Sequence, residues 1–416
     1  MTAPRAAALR LDIASDRDAS YLITASVPGS AKPWTNRVPR FSLAEARLGY
    51  AGALDEFKRL IGRDLEPTDW NRIHEALHDL RLISGRLISA LATPRIVGFR
   101  RFVERALDPL RTTSHAPLVE VHAPSDLLFP LELIQVRPGD WPPEISDRDM
   151  LFRACMTFLG FSTAIRRVFT DTAGDDEGLD QNRVLRNRRR LPLTLFQEAS
   201  TLAGARAEEA FFRRHQELFR FRAWPSPRSR AIEVGLAAQL FDSRAGLDGA
   251  KARSRPDEIQ HFACHCATTD ADPLQHALRL GAAGAKPCVV TLGRLDAEFG
   301  LVEATEDPLR PGPLVFLNAC GSAAIEPGFS TSFVQWFLRN QNRGVIGTET
   351  PVPDTFAAAF AARFYTSLLA QQPAGQALIS AKHHMARLRQ PPRHGVHDVR
   401  RSGSARRDQG RQGATA

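Results

Sequence analysis

Two stretches, His261-Phe262-Ala263-Cys264-His265 and Leu314-Val315-Phe316-Leu317-Asn318-Ala319-Cys320, decide the fold class. Both are short, nearly continuous apolar runs, the pattern of strands buried on both faces of a parallel sheet. Each ends on a side chain able to do chemistry. Parallel strands deliver their last residues to one edge of the sheet, where ligands and catalytic groups collect. A thiol beside an imidazole at that edge is the minimal apparatus for nucleophilic acyl transfer, because the imidazole holds the sulfur as the attacking thiolate. From Pro117 onward the chain repeats strand, turn and helix patterns. The expected class is therefore α/β, a mostly parallel sheet flanked by helices, with an N-terminal hairpin and helical extension.

Working outward, Ala8–Ile13 and Ser20–Ala25 alternate and read as a hairpin. Ser42 can cap a helix reaching Ile61, and Thr68-Asp69 starts another with Ile73, Leu77, Leu80 and Leu87 on one face. No period of about 34 residues appears, so helical repeats are not expected. Leu118–Val121 is a strand candidate. Ala199–Phe219 reads as one helix, with Glu208-Glu209 placed to pair with Arg213-Arg214. Between them, residues 173–190 run from acidic to basic and read as an exposed linker. Residues 256–390 form the catalytic half. Within it, Val289–Leu292 is either a strand between the two chemical ones or part of an insertion. Asp354 precedes a run of helix formers and reads as an N-cap. Phe356, Phe360 and Phe364 recur at helical spacing and read as core.

Strand alternation places His261 and His265 on one side and Cys264 and Cys266 on the other. His261 lies inside the apolar run and is expected to be buried and hydrogen-bonded, whereas His265 has the exposure that a base requires. Cys264-His265-Cys266 also invites zinc, but such sites space their cysteines more widely and no second Cys pair exists. No metal or cofactor is therefore expected. Cys320 is followed by Gly321, which permits the sharp turn that exposes a nucleophile.

Composition is that of a globular protein, 43% hydrophobic and 24% charged over 416 residues. No apolar run approaches the ~20 residues needed to span a bilayer. The first residues lack the apolar core of a secretory signal, so a cytoplasmic location is expected, without membrane association. Five cysteines form no disulfide framework. The formal charge is +9, but residues 387–416 hold eight arginines against Asp398 and Asp408. The basic balance thus belongs mostly to this Arg-rich end, whose tail (391–416) reads as solvated and disordered, touching nucleic acid only nonspecifically.

The residues around the chemical pair resemble the CHAT family of caspase-like cysteine peptidases. The likeness runs through Pro256-Asp257-Glu258-Ile259, the His-Phe-Ala-x-His run, Leu317 to Ser322, Val345-Ile346-Gly347-Thr348 and Pro351-Val352-Pro353-Asp354. It is weaker at Pro130-Leu131-Glu132-Leu133, and it covers roughly residues 115–390, leaving 1–114 as an N-terminal region. The separation of His265 and Cys320, 55 positions, is close to the caspase gap of about 50. The resemblance implies that His265 is the general base and Cys320 the nucleophile, with no cofactor. The oxyanion would sit on backbone N–H groups of Cys320 and of the residue after His265. That residue is Cys266, where the family usually has Gly. The substrate would be another protein, in a defence or cell-death pathway, with a regulatory protein partner. Glu349, Thr350 and the Pro351–Pro353 loop would wall the peptide cleft. Two rivals stand beside this reading: a weak or inactive interaction module on the same fold, and a metal- or nucleic-acid-binding regulator.

Overall fold

The computed structural model describes residues 7–17, 19–30, 32–46, 50–61, 69–108, 116–124, 127, 129–170, 190–226, 229, 235–240, 257–267, 272–300, 312–319, 332–340, 342–348 and 352–387. Alternating runs at the N-terminus form β1 (Leu9–Asp16), β2 (Ser20–Ser26) and β3 (Trp34–Pro39), and β1 and β2 pair as the expected antiparallel hairpin. Four helices follow: α1 (Arg40–Ala46), α2 (Tyr50–Ile61), α3 (Asp69–Ala92) and α4 (Ile96–Leu107). α1 and α2 cover most of the helical stretch expected from Ser42 to Ile61, and residues 47–49 between them lie outside the described residues. In α3, Ile73, Leu77, Leu80 and Leu87 are all buried, as their spacing requires.

The strand at Leu118, β4 (Leu118–Ala123), does not join the C-terminal sheet. It lies parallel to β1, from Leu9↔Val119 to Asp12↔His122, and on its other side parallel to β5 (Ala164–Phe169). Short helices α5 (Arg148–Met156) and α6 (Leu159–Ser162) connect β4 to β5. The result is a five-stranded sheet, β3-β2-β1-β4-β5, packed on α3 and α4.

The second sheet begins with β6 (Leu191–Gln197), α7 (Ala203–Arg214) and β7 (Phe219–Trp224). The helix expected over Ala199–Phe219 is shorter at both ends. Glu198 ties Ser200 and Thr201 into a turn before it, and Phe219 belongs to the next strand. Helical residues 235–240 (α8) are followed by β8 (Ile259–Ala267), β9 (Ala277–Leu280), β10 (Cys288–Thr291), α9 (Leu292–Gly300), β11 (Gly312–Ala319), α10 (Phe333–Arg339), β12 (Asn342–Ile346), α11 (Asp354–Leu369) and α12 (Ala374–Arg387). Five strands run parallel in the order β7-β6-β8-β11-β12. The ribbon β9–β10 attaches antiparallel to the far end of β8, so Val289–Thr291 belongs to an insertion and not to a strand between β8 and β11.

β8 is buried from Ile259 through Cys264 because helices cover both faces. Leu193, Leu195, Ala263 and Phe316 pack toward α7, α11 and α12, while Phe262, Cys264, Val315 and Leu317 pack toward α8, α9 and α10. Asp354 opens α11 but does not cap it. Pro353 occupies that position, and the Asp354 carboxylate accepts from the Gly204 N–H at 2.7 Å, capping α7 instead. Phe364 is fully buried, and Phe360 packs against the same core. α12 binds the two sheets together. Gln376 bonds both the N–H and the carbonyl of Ala116, Lys382 donates to the Gly160 carbonyl, and His383 bonds the Phe161 carbonyl.

Candidate active site

β8 and β11 are adjacent and parallel, in register from Leu314↔Ile259 to Ala319↔Cys264. The residues that follow Cys264 and Ala319 in sequence are His265 and Cys320. Cys320, Glu349 and Thr350 lie outside the described residues, as do the linker at 173–189, the Pro351 position and the tail. His265 is half-buried, and its side chain makes no hydrogen bond to the other described residues. It stands one step past the last described β8–β11 pair, where β8 has taken up β9. Its cross-strand partner there is Arg279.

Cys266 continues the strand opposite Leu278, with its side chain against the α8–α9–α10 face. The only described non-glycine residues with positive φ are Ala19 and Gln371, so the chain passes through Cys266 without the strained turn that a Gly there would relieve. Cys264 is buried on the same face, as alternation predicts. Cys155 packs beside α3 and α5, and burial pushes its thiol up to about 12. Such a thiol is inert at neutral pH.

Sequence reasoning missed Glu198. It is fully buried just past the end of β6, beside Gly281 at the foot of the β9–β10 ribbon. Burial pushes its carboxyl up. Hydrogen bonds from the hydroxyls of Ser200 and Thr201 and from the Thr201 N–H, with the charge of Arg279, outweigh that and hold it below the ordinary carboxylate range. A depressed folded value means that Glu198 stabilises the fold above that range, a contribution lost as pH falls through the folded value. The signal was available: an acid followed two and three residues later by Ser and Thr is a local hydrogen-bonding motif.

A second omission is larger. Glu208, which the sequence presents as half of a surface charge pair, is buried against the sheet. Its neighbour Glu209 does make the expected pair with Arg213. One Glu208 oxygen accepts from the Asn318 side chain at 2.7 Å, and the other meets His261 Nε2. His261 Nδ1 in turn bonds the Tyr365 hydroxyl at 2.8 Å. His261 is therefore the buried, hydrogen-bonded residue expected. The anionic neighbour is felt at Tyr365, whose hydroxyl is pushed well up by burial and by the charge of Glu208.

Among the described residues, no three His, Cys, Asp or Glu side chains converge so as to hold a metal ion. Nor is any single described helix long and apolar enough to cross a membrane. A parallel sheet covered on both faces, with a solvent-reaching histidine at the edge of its middle strand, is a caspase-like α/β architecture. Residues 199–398 match the sequence model of the CHAT domain, a caspase-like, peptidase-related family. No curated protein matches the chain.

Proposed function

We propose that the chain is a cysteine endopeptidase acting on a protein substrate through Cys320 and His265. The observation that carries this reading is the β8–β11 register, which ends one residue short of both side chains on adjacent parallel strands. Cys320 sulfur attacks the scissile carbonyl, and its proton passes to His265. The tetrahedral adduct collapses as His265 protonates the leaving amine, and water then hydrolyses the thioester. The oxyanion is held by backbone N–H groups beside Cys320 and His265. The substrate is met in the cytoplasm, in a defence or cell-death response under the control of a partner protein. This last assignment rests on the family alone.

The test is cleavage of a proteome-derived peptide library. Wild type should cut it, and Cys320→Ala should not, with an unchanged far-ultraviolet circular dichroism spectrum. Equal cleavage by both proteins would end the proposal. The same library reads specificity. Glu349 follows Val345–Thr348 in sequence, and β12, the neighbour of β11, supplies the first residues of that run. A carboxylate lining the cleft would favour a basic side chain beside the scissile bond. Glu349→Gln should lose a preference for Arg or Lys, and an unchanged profile would remove Glu349 from the cleft.

A further inference from the structure

Glu208 belongs to neither chemical strand, yet its carboxylate bridges them. Asn318 lies on β11 two residues before Cys320, and His261 lies on β8 four residues before His265. The two strands are neighbours at this point, with His261 paired to Phe316 and stacked on its ring, 4.9 Å between centroids. On the other side of His261, Tyr365 of α11 completes the chain of hydrogen bonds.

We infer that Glu208 is a positioning residue for the catalytic pair, holding β8 and β11 in a fixed relation ahead of their ends through Asn318 and His261. The inference rests on the peptidase reading of Cys320 and His265. Backbone pairing alone fixes the strands up to Ala319↔Cys264, but the last ladder rungs of a strand are the easiest to open. A carboxylate that accepts from one strand at Asn318 and meets the other at His261 adds a side-chain tie across the rungs that lead to that end. Both bonds are buried, where they are strong and where losing either leaves an unpaired group. The directions are set by chemistry. The anion can only accept, so Asn318 donates through Nδ2 and His261 through Nε2–H. In the neutral imidazole this leaves Nδ1 to accept from the Tyr365 hydroxyl.

Sequence chemistry agrees. A glutamate on an otherwise amphipathic helix is ordinarily left in water, and a lone buried carboxylate is costly unless fully satisfied. This one has a donor on each oxygen, and removing Asn318 breaks only the β11 half of the bridge.

The experiment reads geometry at Cys320 rather than stability. The rate of Cys320 alkylation by iodoacetamide is followed by peptide mass spectrometry from pH 5 to 10 in the full chain. Wild type, Glu208→Ala, Glu208→Gln and Asn318→Ala are compared. A misplaced dyad loses thiolate at neutral pH. Asn318→Ala and Glu208→Ala should therefore react about 10- to 100-fold more slowly at pH 6.5, with the midpoint moved toward that of a free cysteine. Glu208→Gln should retain most of the wild-type profile. Its carbonyl still accepts from Asn318, and its amide can donate to His261 Nε2 once the imidazole carries its proton on Nδ1. Should Glu208→Ala not fold, Asn318→Ala and Glu208→Gln still decide the matter. A low wild-type midpoint left unchanged in folded Asn318→Ala would assign the bridge to stability alone and overturn the inference. An ordinary thiol profile in the wild type would overturn the peptidase reading, and the inference with it.

Discussion

Replacing His265 with alanine should lower the rate of peptide hydrolysis by about 10²- to 10⁴-fold, the usual range for loss of a general acid–base group. Little stability should be lost with it. The side chain is half-buried at the end of β8 and bonds no other described residue, so its removal strands no buried partner. This separates His265 from His261, four residues earlier on the same side of the strand, whose ring is fully buried between Tyr365 and Glu208. Single-turnover hydrolysis measured beside a denaturant melt distinguishes the two positions. His265→Ala should fail the first and pass the second. A variant that keeps more than a tenth of wild-type turnover would mean that another group moves the proton.

The second large effect is on stability and comes from Gly204. An added Cβ would lie 2.5 Å from the Asp354 carbonyl oxygen and closer still to its carboxylate. The same carboxylate caps α7 at the Gly204 N–H. Gly204→Ala therefore both overpacks the α7–α11 contact and pushes the cap away, for a loss of about 2–4 kcal/mol. Gly85, in the middle of α3, is the matched control. Nothing lies within 4 Å of its added Cβ, so Gly85→Ala should gain about 0.5–1 kcal/mol from reduced freedom of the unfolded chain. Denaturant midpoints should move in opposite directions. A stable Gly204→Ala protein would show that α11 can shift without consequence for α7.

Much of this architecture was legible because its signals are local. Fully apolar strand-length runs announce doubly covered strands, and those at His261 and Leu314 prove to be direct neighbours. Alternation sorted His261 from Cys264 correctly. What escaped depends on partners far away in sequence. Glu208 looks like a solvated charge because its partners are 53 and 110 positions distant. Asp354 looks like the cap of its own helix, but the N–H it serves is 150 positions earlier. The choice of β4 between two sheets is likewise topological, since a short apolar strand carries no mark of which neighbour it will take. The β9–β10 ribbon was half legible. Val289–Thr291 was recognisable as a strand, but an edge hairpin and a central strand share the same short pattern.

The most direct measurement is the ionisation of Cys320 itself, taken as the difference in thiolate absorbance near 240 nm between wild type and Cys320→Ala during a pH titration. With His265 beside it, the sulfur should ionise well below the free-cysteine value of about 8.5, and in His265→Ala it should return toward that value. A Cys320 that titrates at or above about 8.5 in the wild type, and does not respond to the loss of His265, would contradict the catalytic pair.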